Sequence, residues 1–309
     1  MAAVRSIFSS KGASAGDAGD RGNSQGVEVV LTGLAGLKVR STALHTALPW
    51  VLCGDDLGFV SIHDYEHSVL IFKMQPDLHV ASAHASSGSA ALRCTRVRLV
   101  IFLDAVDAPD EHVAVARPVA AVTDIALFFI DCATRRVRHV SAVDARLINA
   151  LHIVPCSPAG ERRAMLAVAC ADGYVRMIET SNGQVLRELS CGKKKAPAFN
   201  HLAVFNLPGG HVGKGESSAE GKASLVVVAA SSDGSLFLWN MWLSDTPVCT
   251  CPAGAEVMGL QLSGASEAGN VLLTSIHADK TMALWAIDAK LSLAEVVRSK
   301  PRSLVRLRG

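Results

Sequence analysis

The chain has 309 residues, half of them hydrophobic, and a formal net charge of +2. This length suits one large domain or two ordinary ones, and the apolar content is enough for a core that needs neither disulfides nor metals. A charge so close to zero provides no general attraction to nucleic acid or to a membrane, so nucleic acid is not among the expected partners.

The eight cysteines are scattered along the chain, and several lie in apolar, strand-like runs where Cys behaves as a small hydrophobe. This usage is typical of a reducing compartment and not of a disulfide scaffold. Cys249 and Cys251 lack the two-residue gap and the second pair of a zinc site, so we expect neither a metal nor a cofactor. No apolar run reaches the roughly 18 residues of a membrane helix, and we expect a cytoplasmic protein.

Residues 1–26 are rich in Ser, Gly, Ala and Asp and contain few large apolar side chains. Such a segment cannot bury enough surface to offset the entropy of ordering it, so we predict a disordered N-terminal tail. Residues 12–16 read Gly-x-Ser-x-Gly, but no strand or helix flanks them, and a nucleophile elbow requires both. Residues 27–309 are predicted to form one domain of repeated strands.

The first repeat unit covers residues 38–72. Two strand-like runs at 38–44 and 49–53 precede the turn at Gly58, and two more follow it, at 59–64 and 69–72. His63-Asp64 stands where a WD repeat has Trp-Asp. Further strands at 92–104, 121–131 and 137–143 carry no Asp-Gly or Trp signal, and their spacing assigns them to a second and a third unit.

The later units have stronger turn signals. Asp172-Gly173 and Asp233-Gly234 suit type I′ turns between paired strands, because both central residues of that turn need positive φ. The turn at Asp279 leads into the last clear hairpin, which ends at Trp285. A Gly-rich insertion occupies 208–222, and residues 303–307 read as the first strand of a unit that is incomplete.

The spacing of these turns indicates repetition. Turn positions at Gly58, Gly173, Gly234 and Lys280 are each followed, five residues on, by the end of a strand. A rhythm of about 40 residues per unit, with many short strands, predicts an all-β fold. We therefore predict a WD40-type β-propeller with roughly six to seven blades, the last of them incomplete.

Asp233 with Trp239, and Asp279 with Trp285, resemble the Asp and Trp of the hydrogen-bonded network in WD repeats. The His of that network normally comes from a Gly-His pair, which occurs here only at 210–211, so we predict an incomplete network. Paired carboxylates, a metal cluster and a nucleophile constellation are all absent from the sequence, so no catalytic site is expected. Ten residues are assigned a structural role in the repeats: Trp50, Gly58, Asp64, Asp172, Gly173, Asp233, Gly234, Trp239, Asp279 and Trp285.

Basic residues are the candidates for a membrane or an acidic partner. Each one near a charged bilayer contributes about 1 kcal/mol to binding. A solvated surface is the alternative interpretation of the same run. The candidates are Lys193, Lys194, Lys195, Arg302, Arg306 and Arg308.

The first repeat carries a more specific resemblance. Leu44-His45, Leu48-Pro49-Trp50-Val51 and His63-Asp64-Tyr65 resemble the opening blade of the coatomer α and β′ propellers, although Thr46 and His63 depart from that pattern. Together with Glu66-His67 and the hairpins at 171–176, 233–239 and 278–285, they are similar to the WD-repeat subunits of the TSET/TPLATE adaptor complex. The similarity covers roughly residues 39–300.

This resemblance implies a non-catalytic propeller that mediates protein–protein interactions in a coat working in endocytosis and vesicle-mediated transport. Other coat or adaptor subunits are then the expected partners, and the periphery of the plasma membrane or of coated vesicles is the expected location. The family's propeller is followed by more chain, often a second propeller and an α-solenoid. A WD40 adaptor in another complex, such as a substrate receptor of a ubiquitin ligase, is the alternative, since fold alone does not determine function.

Overall fold

A computed structural model of the protein describes residues 38–77, 95–103, 118–155, 164–193, 196–207, 224–241, 243–265 and 270–300. These residues form five four-stranded antiparallel sheets, and in each sheet the strands follow one another in chain order. The first strands of consecutive sheets pack against each other, so they lie on the inner side of the array. A radial array of such sheets is the architecture of a β-propeller.

The strands are numbered in chain order. Sheet I contains β1 (Val39–Leu44), β2 (Trp50–Asp55), β3 (Val60–Asp64) and β4 (Val69–Met74). Sheet II contains β5 (Val97–Phe102), β6 (Pro118–Thr123), β7 (Leu127–Asp131) and β8 (Arg136–Val140). Sheet III contains β9 (Ile148–Val154), β10 (Met165–Cys170), β11 (Tyr174–Glu179) and β12 (Val185–Ser190). Sheet IV contains β13 (Phe199–Leu207), β14 (Ser224–Ser231), β15 (Ser235–Asn240) and β16 (Cys249–Pro252). Sheet V contains β17 (Val257–Ala265), β18 (Val271–His277), β19 (Met282–Ile287) and β20 (Leu293–Ser299), and a short 3-10 turn, Ala145–Leu147, precedes β9.

The core is built from the layers between neighbouring sheets. In β14, Val226 and Val228 pack toward sheet V, whereas Leu225 and Val227 pack toward sheet III. Successive side chains of a strand point to opposite faces, so a sheet that lies between two others must be apolar at almost every position. This explains the uninterrupted apolar run of β14.

The turns between the second and third strands need unusual backbone geometry. Gly58, Gly173 and Gly234 have φ angles of 83°, 81° and 75°, and Lys280 adopts φ 65° at the corresponding point of sheet V. A Cβ atom on Gly234 would lie 2.9 Å from the carbonyl oxygen of Ala255. Glycine is favoured here by its conformational freedom and by the close approach of a neighbouring backbone.

A β-bulge recurs at the start of every first strand. The register slips at the second residue of the strand in all five sheets, which leaves one residue without a partner on the second strand. The bulged residues are Arg40, Arg98, Asn149, Asn200 and Met258.

The sequence predicted two units between the first and the fourth, whereas the structure has a single sheet there, sheet II. The strands that the sequence assigned to two units lie together in sheet II. Their spacing was misleading because the stretches 78–94 and 104–117, which lie outside the described residues, lengthen this part of the chain. The predicted tail 1–26, the Gly-rich insertion and the strand at 303–307 also lie outside the described residues.

Candidate functional site

The predicted Trp network takes a different form in sheet V. The Nε1–H of Trp285 donates to Ser275 Oγ at 2.8 Å, and the same oxygen lies 2.8 Å from His277 Nε2. His277 Nδ1 in turn lies 3.3 Å from the carbonyl oxygen of Ala255. The imidazole therefore comes from β18 itself, two residues after the serine, and a Ser-x-His pattern in the second strand is the signal that sequence reasoning missed.

Asp279 belongs to the adjacent turn. Its Oδ1 accepts hydrogen bonds from the backbone N–H and the hydroxyl of Thr281, at 2.9 and 2.6 Å. These hydrogen bonds lower the pKa of Asp279. Its role is to fix the turn that begins β19.

In sheet IV, Asp233 and Trp239 form hydrogen bonds with different partners and do not share a network. Trp239 Nε1–H donates to the carbonyl oxygen of Ser190, in sheet III, at 3.2 Å, and its ring packs edge-on against Phe199 at 5.6 Å between centroids. Asp233 instead accepts hydrogen bonds from Ser231, Ser235 and Lys193. Burial raises the pKa of Asp233, but the hydrogen bonds from these donors lower it by more, so the pKa lies below its usual value.

In sheet I, the residues at the repeat positions lie in the core or stabilise a turn. His63, at the position of Trp239 and Trp285, is buried with its Nε2 3.0 Å from Ser61 Oγ. Asp64 accepts hydrogen bonds from the backbone N–H groups of Glu66 and His67.

Two further predicted positions have comparable roles. Trp50 is buried between sheets I and II, with its ring 5.8 Å from that of His45. In sheet III, Asp172 lies beside Gly173 and pairs with Arg176 at 2.7 Å. All ten repeat positions therefore lie in turns or in the core.

Of the six predicted basic residues, Lys193 lies within the described part of the chain. Lys193 Nζ lies 3.3 Å from Asp233, and both side chains are nearly half exposed, so part of the positive charge is neutralised locally. Lys194, Lys195, Arg302, Arg306 and Arg308 lie outside the described residues. Contact with a membrane or an acidic partner stays a prediction.

Three of the five bulged residues form hydrogen bonds to the next sheet or to the segment that leads into it, whereas Arg40 pairs with Asp56 of its own sheet. Arg98 donates to the carbonyl oxygens of Ala145 and Ile148, at the entrance to sheet III. Asn149 Nδ2 donates to the carbonyl oxygen of Phe199 at 2.9 Å. Asn200 Nδ2 lies 3.5 Å from Glu256 Oε1, just before sheet V. The series ends at Met258, which is 56% exposed and has no polar group to continue it.

One face of sheet V differs from the others. The face opposite sheet IV, which we call the free face, has no charged side chain in the described strands. Ile276 and Met282 on this face are 49% and 41% exposed. In the described part of the chain, no packing like that between consecutive sheets joins sheet V to sheet I. The free face consists of Gly259, Gln261, Gly264, Leu272, Thr274, Ile276, Met282, Leu284, Ala286, Ala294, Val297 and Ser299.

The described residues offer little reactive chemistry. They contain no group of three or more His, Cys, Asp or Glu side chains that could hold a metal ion. Burial raises the pKa of the Cys53 and Cys170 thiols to about 11, so both remain protonated and weakly nucleophilic at neutral pH. No helix within the described ranges is long and apolar enough to cross a bilayer.

Comparison with known proteins identifies the fold. No family model and no curated protein matches the chain. A chain in the crystal structure of the mitotic checkpoint complex superposes with a TM-score of 0.55 at 15% identity, over 86% of this chain and 66% of that one. Raptor from Chaetomium thermophilum superposes with a TM-score of 0.56 at 11% identity, over 86% of this chain and 21% of that one.

Both structural neighbours are WD40-like propeller proteins. The fold is a WD40-type β-propeller. The chain spans less than two thirds of the length of either neighbour, with 66% and 21% coverage. Identities of 15% and 11% establish the fold and nothing more specific.

Proposed function

We propose that this WD40-type propeller is a non-catalytic scaffold that binds protein subunits of a vesicle-coat or adaptor complex. The free face of sheet V is the observation that carries the proposal. An apolar face of this kind, with no charged residue among its members, is unusual on a protein surface and is typical of a contact surface. The occupant that fits it is the apolar, uncharged sheet surface of another subunit, since neighbouring sheets here pack in that way.

The size of the free face is consistent with a protein partner. Four strands about 4.8 Å apart, each with three alternate residues about 6.7 Å apart, give a face of roughly 300–400 Å². This is less than the roughly 800 Å² per partner of a standard stable interface. The free face therefore acts as one part of a larger contact, as a scaffold subunit requires.

The coat assignment rests on the resemblance of the first repeat to coatomer and TSET/TPLATE propellers. His45, Trp50 and Asp64, which carry that resemblance, build one packed unit, in which His45 Nδ1 accepts hydrogen bonds from the backbone N–H groups of Ala47 and Leu48. One structural neighbour is part of a named complex, the mitotic checkpoint complex, which supports the role of scaffold at a coarser level. We place the protein in the cytoplasm, at the periphery of the plasma membrane or of coated vesicles.

Affinity purification with quantified partners tests this function. We expect the tagged full-length chain to recover adaptin-like large subunits, and Ile276→Glu to reduce their recovery at least tenfold, because burying an unpaired charge is costly. Lys290→Glu, an exposed change in the β19–β20 turn, is the matched control and should leave recovery unchanged. A chain isolated alone would contradict the proposal, and recovery of a ubiquitin-ligase scaffold in place of coat subunits would favour the alternative.

A further inference from the structure

A small apolar cavity lies between sheet I and the β7–β8 turn of sheet II. Its volume is about 70 Å³, and Trp50, Ile62 and Phe72 line it. One water needs roughly 10–15 Å³ of such a cavity, so there is room for about five to seven heavy atoms. This is enough for a branched aliphatic side chain.

A β-bulge shapes one wall. The register between β3 and β4 slips after Ile62, which leaves Ile71 without a partner on β3. Ile71 and Phe72 both line the cavity although they are adjacent in sequence. A regular strand would direct them to opposite faces.

Arg135 lies at the rim of this cavity. Among the described residues, its guanidinium has no hydrogen bond or ion pair. The nearby carboxylate of Asp131 is already occupied, because it pairs with Arg138 at 2.6 Å and accepts the backbone N–H groups of Ala133 and Thr134. The positive charge of Arg135 is therefore available to a ligand, and Asp131 holds the turn that presents it.

The backbone of Arg135 is in the left-handed region, with φ 52°. The corresponding turn of sheet III has Gly183 at φ 73°. Glycine adopts this conformation without strain, whereas a residue with a Cβ atom does so at a cost. The equivalent turns of sheets I and V also hold non-glycine residues at positive φ, Ser68 at 55° and Leu291 at 63°, so this conformation is a recurring feature of the turn between the third and fourth strands.

The outer strand of sheet I extends the site. β4 is the edge strand of its sheet, and Val69 and Leu70 are 53% and 41% exposed. An edge strand can pair with an extended peptide through its backbone, while a pocket beside it selects one side chain.

We propose that this cavity binds a peptide segment in which an aliphatic side chain enters the pocket and an adjacent carboxylate pairs with Arg135. The carboxylate can be the C-terminus of the peptide or a neighbouring Asp or Glu, since an arginine fork recognises both in the same way. The inference rests on the scaffold function proposed above, because the ligand is a segment of a protein partner.

Calorimetric titration of the purified full-length chain with three acetylated peptides tests the proposal. The first ends in Gly-Ser-Leu with a free carboxyl group, the second contains Asp-Leu-Gly with an amidated end, and the third replaces that Asp by Asn. We expect one of the two acidic peptides to bind at least tenfold more tightly than the third, and the tighter of the two identifies the source of the carboxylate. Equal affinities for all three, or no binding at millimolar peptide, would overturn the proposal.

Arg135→Gly removes the guanidinium and relieves the backbone strain at once. We expect this variant to melt no lower than the wild type and to lose at least tenfold in affinity for the acidic peptide. Arg136→Ala removes an adjacent charge outside the pocket lining and should bind like the wild type. Unchanged binding by Arg135→Gly, or an equal loss in both variants, would contradict the site, whereas neither result affects recovery of coat subunits through the free face.

Discussion

Sheets IV and V have nearly the same strand pattern and different surroundings. In sheet IV, Leu236 and Leu238 are fully buried because sheet V covers them. In sheet V the corresponding strand offers Met282 and Leu284, and Met282 is 41% exposed. The difference shows that the strand pattern prepares every sheet for two neighbours, and that the free face of sheet V has the composition of an interface although no described sheet packs on it.

The largest expected contrast comes from removing one large side chain from each sheet. Trp239→Ala should cost about 3–5 kcal/mol in the free energy of unfolding, because it leaves a cavity between sheets III and IV. Met282→Ala should cost less than about 1 kcal/mol, because the side chain is already partly in water. Urea unfolding measures both. Similar losses would mean that sheet V is covered as completely as sheet IV.

The turns of the two sheets provide a second contrast. Gly234→Ala should destabilise the protein by about 2 kcal/mol, since positive φ strains an alanine and its Cβ would meet the Ala255 carbonyl. Lys280→Gly should change stability by less than about 1 kcal/mol, because relief of strain is offset by a more flexible unfolded chain. Thermal unfolding of both variants checks this, and a stable Gly234→Ala variant would contradict the turn geometry.

The polar network of sheet V predicts a loss of comparable size. Ser275→Ala removes the oxygen that Trp285 and His277 share, so a buried N–H loses its partner, at about 1–3 kcal/mol. Ser263→Ala, whose hydroxyl is exposed beside Thr274, is the control and should be nearly neutral. If the two variants unfold at the same urea concentration, the network contributes nothing to stability.

A fall in pH should destabilise the core but leave binding through the free face unchanged. We expect this to be the smallest of the effects. Burial lowers the pKa of His63, His152 and His201, so the unfolded chain binds more protons than the folded one below about pH 6.5. Stability is therefore complete above that pH and decreases as the pH falls from about 6.5 toward the lowered pKa values. The free face has no titratable group, so binding through it should stay constant between about pH 7.5 and 6.5. Urea midpoints over this range and below it check the first statement, and affinity for coat subunits checks the second.

The sequence predicts the positions of the turns because their chemistry is local, but the predicted type I′ geometry is wrong: Gly173 and Gly234 have positive φ, whereas Asp172 and Asp233 do not. Asp172-Gly173 and Asp233-Gly234 are recognisable from residue type alone, and the structure places them between the second and third strands of sheets III and IV. Sheet II lacks such a signal, since its corresponding turn runs through Asp124 and Ile125, and so its strands were divided between two units. Turn chemistry determines unit boundaries, and spacing alone does not.

The candidate sites were not predictable for a different reason. The free face depends on which of the described sheets pack together, and Leu272 and Leu284 have the same local pattern as buried residues of sheet IV. Likewise, the partnership of Ser275 and His277 with Trp285 depends on strand register, and the cavity beside Arg135 depends on how sheet I meets sheet II. Each requires positions that are distant in sequence to be placed together.

Site-specific photo-crosslinking in cells tests the central claim most directly. A photoreactive phenylalanine analogue at Met282 lies on the free face, and the same residue at Val140, 43% exposed on the outer strand of sheet II, is the control. We predict a crosslink from position 282 to an adaptin-like large subunit and none from position 140. No crosslink from 282, or the same products from both positions, would contradict the assignment of the free face as the contact of a scaffold.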